Sequence, residues 1–178
     1  MNPMKMTIAV VTSRFNEELT SKMAEGAVQF LEDFEHADIE IWSVSVPGAI
    51  EIPLACKALI EKGADGVVAL GAVIRGETSH YDVVCNSVER GVTHLMLETG
   101  RPIGLGVLTT ENEEQAWDRV GGQHGHKGIE AAQVTVEMVG LIKSLKTAGK
   151  RTQTVMFKPV KAPPSKSEVA KRKVKKKK

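Results

Sequence analysis

Residues 65–80 read DGVVALGAVIRGETSH, and they decide the fold. From Asp65 to Ile74 the run is almost continuously apolar and rich in valine, the pattern of a central strand covered on both faces. RGETSH is a polar turn leading into a helix expected over Tyr81 to Glu98 and ended by Gly100. On the N-terminal side, Ile8 to Val11 form a short apolar run that stops at SRFN. Leu19, Met23, Ala27, Phe30 and Leu31 then recur at spacings of three and four, predicting a helix packed on a sheet. DIEIWSVSV alternates with period two and closes at Pro47 and Gly48; IEIPLACKALIEKG is a helical pattern ended by Gly63. On the C-terminal side, IGLGVLT is a further strand and ENEEQAWDRV a helical pattern. The glycine-rich loop GGQHGHKG precedes a last helix over Ile129 to Lys146. Strands alternating with helices predict an α/β class, a flavodoxin-like three-layer domain around a four-stranded parallel sheet.

The composition narrows the rest. The chain has 178 residues, enough for one ordinary domain. It is 42% hydrophobic and 26% charged, which excludes disorder throughout. The longest apolar run, Val67 to Ile74, falls far short of the roughly twenty residues of a membrane helix. The N-terminus meets charge too early for a signal peptide, so a cytoplasmic protein without a membrane partner is expected. Cys56 and Cys85 are too few for a disulfide scaffold or a zinc site and read as reduced core residues. A formal net charge of +2 conceals a partition: residues 147–178 hold 12 basic residues and the single acid Glu168, while residues 1–146 carry 12 basic and 21 acidic ones. The expectation is a folded domain, 1–146, with net charge −9, and a lysine-rich disordered tail, 147–178, with net charge +11.

In an open parallel sheet the site lies outside the carboxyl ends of the strands. The segments there are SRFN, VPGAIE, VIRGETSH and LTTEN. A glycine–threonine turn between a strand and a helix offers unpaired N–H groups and the positive end of a helix dipole, so Thr78 stands either at an anion site or at an ordinary helix cap. No phosphate-loop or dinucleotide fingerprint accompanies it. His80 follows directly, an imidazole being the side chain suited to proton transfer near neutrality. Glu51 either complements the second helix's dipole or faces a ligand, and Phe15 either staples the first helix or stacks on a planar heterocycle. Arg119 and Lys127 bracket the glycine-rich loop. His124 and His126 lack metal-ligand spacing, and no metal is expected.

SRFN at 13–16, PGAIEIP at 47–53, GAVIRGETSHYDVVCN at 71–86, GVLTTEN at 106–112 and GGQHGHKGIEAA at 121–132 together closely resemble the lumazine synthase family. The resemblance spans roughly residues 5–146. It implies a cofactor-free transferase that condenses 5-amino-6-(D-ribitylamino)uracil with 3,4-dihydroxy-2-butanone 4-phosphate in riboflavin biosynthesis. It further implies that Phe15 stacks on the pyrimidine, that Ala49, Ile50 and Glu51 receive the ribityl chain and ring, and that Ala72, Val73 and Ile74 read the pyrimidine edge. Glu77, Thr78 and Arg119 correspond to the phosphate site, His80 to the proton donor, and Lys127 to a flanking lysine. Leu105 stands where many members carry an aromatic residue. The family's pentamers, in some members assembled into icosahedral 60-mers, build each site between two subunits, with Leu105, Arg119 and Lys127 from the neighbour. Riboflavin synthase is the implied functional partner. Two other classes of reading remain: a non-catalytic flavin- or lumazine-binding module, and a particle that binds polyanion or nucleic acid through residues 147–178.

Overall fold

The computed structural model describes residues 4–147. Four parallel strands, β1 (Met4–Ser13), β2 (Ala37–Val46), β3 (Gly66–Ile74) and β4 (Ile103–Thr110), lie side by side in the order β2-β1-β3-β4. This is the expected flavodoxin-like arrangement. β3 is central, and its first seven residues are buried, which is why its sequence carries no polar alternation. Helices α1 (Glu17–Glu32) and α5 (Lys127–Thr147) cover one face; α2 (Ile52–Lys62) and α3 (His80–Thr99) cover the other. Leu19, Met23, Ala27 and Leu31 form the buried stripe of α1, and each large side chain so removed from water stabilises the fold by about 1.5–3 kcal/mol.

Sheet and helix approach closely at Gly104 on β4, where a Cβ would stand 2.1 Å from the Ala131 carbonyl oxygen of α5. Buried Thr135 completes that seam: its hydroxyl accepts the Gly104 N–H at 3.1 Å and donates to the Ala131 carbonyl at 2.8 Å. At the amino end of the sheet, Asp65 accepts the Thr7 N–H, Arg101 at 3.0 Å and Lys143 at 2.7 Å, tying together the starts of β1, β3 and β4 and the end of α5. Burial pushes the Asp65 carboxyl up, but Lys143, the Thr7 N–H and Arg101 outweigh it and hold the group below the usual carboxylate range.

Three elements differ from the sequence reading. The glycine-rich loop is a small antiparallel hairpin, β5 (Val120–Gly122) with β6 (Gly125–His126), turned by positive-φ Gly121 and Gly125. The helix expected over 111–120 is only α4 (Glu113–Asp118), because the Asn112 side chain caps it at one end and the hairpin starts at the other. A 3₁₀ turn, Ala49–Glu51, precedes α2. Among the described residues no helix is long and apolar enough to cross a membrane. The basic tail beyond Thr147 lies outside the described residues.

Candidate functional site

The chain leaves β1 toward β2 on one side and reaches β3 on the other, so the topological switch lies between β1 and β3. β3 also outruns its neighbour. Its pairing with β1 ends at Leu70, while its pairing with β4 continues to Ile74. Main-chain groups from Ala72 onward therefore have an edge without a strand partner. Asn16, left-handed at φ 60°, donates its side-chain amide to the Ala72 carbonyl at 3.1 Å and pins the SRFN turn there. The β1–β2 pairing is extended by the Arg14 N–H to Val46 and the Phe15 N–H to Pro47, which brings Phe15 alongside the 3₁₀ turn.

A cavity of about 390 Å³ opens at this switch point. Nine of the thirteen residues singled out from the sequence line it: Phe15, Ala49, Ile50, Glu51, Ala72, Val73, Ile74, Thr78 and His80. Gly48, Gly76, Tyr81 and Val84 complete the wall. These four follow from their neighbours in the motifs, but their side chains carry no separate signal. Phe15 is 70% exposed and contributes little to the core. Glu51 accepts the Gly48 N–H at 2.9 Å, capping the 3₁₀ turn, and also lines the cavity. The Thr78 hydroxyl accepts the His80 N–H at 3.3 Å at the start of α3, which places His80 at the mouth of the helix.

Charge is distributed unevenly around this cavity. Among the described residues its wall contains no lysine or arginine. Arg75, at the end of β3, is held by Glu111 at 2.7 Å and by both carboxylate oxygens of Asp82, and lies 4.0 Å over the Tyr81 ring. Its guanidinium is already neutralised. Cys85 on α3 has its thiol pushed up by burial, and the Cys56 thiol is pushed up to about 12 by burial, so neither is an activated nucleophile.

Glu77, Leu105, Arg119 and Lys127 are not in this wall. Leu105, on the edge strand β4, is 42% exposed. Arg119 ends α4 and donates to the Gln115 carbonyl at 2.8 Å. Lys127 begins α5, its ammonium paired with Glu130 and its N–H donated to the Arg119 carbonyl at 2.8 Å. β5 packs on α1, so this cationic corner belongs to the helical layer across the sheet from α2 and α3.

A family model described as 6,7-dimethyl-8-ribityllumazine synthase matches residues 5–143. A protein of Bdellovibrio bacteriovorus with the same description is 63% identical over 146 residues, covering 82% of this chain and 80% of its own length.

Proposed function

From a chain that belongs to the 6,7-dimethyl-8-ribityllumazine synthase family, we propose that the cavity at the β1–β3 switch point is the ribitylaminouracil site, and that its phosphate-binding half comes from a second subunit. The protein is a transferase of riboflavin biosynthesis: it condenses 5-amino-6-(D-ribitylamino)uracil with 3,4-dihydroxy-2-butanone 4-phosphate and releases phosphate and water. The observation that carries the site assignment is the cavity's composition. It holds an exposed aromatic ring, a strand edge that β1 leaves uncovered and an imidazole, yet no lysine or arginine among the described residues.

Phe15 stacks on the pyrimidine, main-chain groups of the Ala72, Val73 and Ile74 edge other than the Ala72 carbonyl, which Asn16 already holds, hydrogen-bond its rim, and Ala49, Ile50 and Glu51 receive the ribityl chain. The uracil's amine attacks the ketone to give a carbinolamine, which loses water to form an imine. His80 then moves the protons that accompany phosphate departure, when the carbon–oxygen bond breaks and its electron pair leaves with the phosphate. A second amine addition and dehydration close the ring. Holding two reactants side by side supplies much of the acceleration. The departing dianion needs donors and counter-charge: the Thr78 hydroxyl, the main-chain N–H groups of the Glu77–Thr78 turn and the α3 terminus face it from one chain, and Arg119 and Lys127 from the next, with Leu105 as an apolar wall.

The assembly in this reading is a pentamer, with the 60-mer as its closed form; exposed Leu54, Val83 and Leu97 on α2 and α3 are the apolar surface it would cover. A cytoplasmic location, hand-over of the lumazine to riboflavin synthase, and contact of residues 147–178 with a polyanion belong to the same reading. The test is His80→Ala with lumazine formation followed by fluorescence: turnover falls about tenfold to a thousandfold, the range of a lost proton-transfer group. An unchanged rate removes His80 from the mechanism.

A further inference from the structure

The hairpin that carries Arg119 and Lys127 is anchored by a residue the mechanism has not used. His126 pairs with Val120 across β5–β6, and its ring lies against α1 at Gly26, where a Cβ would stand 2.4 Å from the imidazole Cε1. No side chain larger than hydrogen leaves room for the ring. Two positions on, Gly128 meets α1 as closely, a Cβ there falling 2.1 Å from the Met23 carbonyl oxygen. The imidazole Nδ1 accepts the Ile129 N–H at 3.3 Å, in the first turn of α5. The ring also hydrogen-bonds the main chain of Lys22, whose carbonyl is the one acceptor there. An Nδ1 that accepts leaves the proton of the neutral ring on Nε2, the tautomer in which the ring holds both helices at once.

We propose that His126 is a positioning residue for the phosphate grip: seated neutral between α1 and α5, it fixes the β5–β6 hairpin and so the places of Arg119 and Lys127. The mechanical link is short. Lys127 follows His126 directly, its N–H holds the Arg119 carbonyl, and Arg119 adjoins the Val120 partner of His126. The inference rests on the assignment of Arg119 and Lys127 to the butanone phosphate.

A second proton on the ring would point two N–H groups at each other, at Nδ1 and Ile129, beside the positive end of the α5 dipole. Burial already holds the ring below its ordinary value, against the main-chain bonds and the Glu130 carboxylate, which favour the cation. Of the other charges near it, Lys127 pairs with that same Glu130, and Asp118 pairs with His124 within the hairpin. From α1 it is the main chain of Lys22 that faces the ring.

The experiment is steady-state kinetics on the assembled full-length enzyme, with each substrate varied from pH 5.5 to 8, for wild type, His126→Ala, His126→Asn and Gly26→Ala. His126→Ala raises KM for the butanone phosphate by about tenfold to a hundredfold, the scale of a misplaced positioning group, and leaves kcat and KM for the uracil within about twofold. Gly26→Ala evicts the ring without altering it and gives the same split, which keeps the test available if His126→Ala does not assemble. In wild type the phosphate KM climbs below about pH 6.5 more steeply than in His126→Asn, whose amide cannot titrate. Superimposable pH profiles for those two, or an unchanged phosphate KM in both His126→Ala and Gly26→Ala, overturn the proposal. Arg119→Ala separates the layers: if it raises the phosphate KM and the His126 and Gly26 variants do not, only the positioning role falls. If Arg119→Ala leaves that KM unchanged, the phosphate assignment falls first.

Discussion

At Phe15 the demands of the fold can be separated from those of the proposed substrate site. Its ring is 70% exposed at the cavity rim, and its N–H to Pro47 is a main-chain bond that survives truncation. Phe15→Ala therefore costs folding no more than about 0.5 kcal/mol, the range of a surface substitution, which is roughly 2 °C in melting temperature. Binding is another matter. A phenylalanine presents about 200 Å² of side chain, so at this exposure one free face offers roughly 70 Å² to a planar ring. At about 25 cal/mol per Å², covering that face is worth about 2 kcal/mol. Stacking adds about 0.5–1.5 kcal/mol. Affinity for the ribitylaminouracil, measured by titration calorimetry, should fall about seventyfold to four-hundredfold, with Phe15→Trp retaining most of it and the melting temperature of Phe15→Ala within about 2 °C of wild type. Unchanged affinity, or a melting temperature lowered by more than about 5 °C, refutes the argument that an exposed ring at this place serves binding and not packing.

Asp65→Asn keeps an acceptor for the Thr7 N–H but deprives Lys143 and Arg101 of their partner at the far end of the sheet; the melting temperature should fall about 3–6 °C, for about 1–2 kcal/mol, with KM values unaltered. Because the folded state depresses this carboxyl, its contribution is complete above the unfolded value of about 3.9 and is lost as pH falls through the lower folded one. Calorimetry from pH 7 to 2.5 should thus show the two proteins converging in acid, and a difference that persists undiminished there contradicts the assignment. Removing residues 148–178 should leave lumazine formation intact and abolish salt-sensitive binding to a DNA oligonucleotide; retention that survives truncation places the affinity elsewhere.

Much of this was legible because burial and chemistry left different marks on the sequence. The unbroken apolar run of β3 signals a central strand, and the polar residues that follow the strands point to the end of the sheet where the cavity opens, the end at which parallel sheets take ligands. Gly63 and Gly100 end helices as their positions imply, with φ of 120° and 62°. The hairpin was not legible. Its strands are three and two residues long, too short for alternation to register, and its turn chemistry reads simply as a loop. His126 was opaque for a different reason: its partners are Gly26, a hundred residues earlier, and main-chain atoms, neither of which leaves a pattern in composition or spacing.

The uneven charge around the cavity bears on how a site of this kind must be built. A leaving phosphate dianion requires cations, yet Arg75, the one cation at the end of β3, is committed to Glu111 and Asp82. Freeing it would strand two carboxylates beside the place where negative charge develops, a net loss. Arg119 and Lys127 are rooted in the opposite helical layer, where α1, α4 and α5 meet. In the assembly proposed above, a second copy would bring them to the cavity and leave the Arg75 network intact, with the exposed Leu105 on edge strand β4 as apolar surface for the join. On that reasoning, supplying Arg119→Ala subunits with partners defective only at His80 should restore activity in mixed assemblies, since some junctions pair an intact cavity with an intact cationic corner. If each site lay within one chain, mixing would restore nothing, because every cavity would still carry one of the two defects.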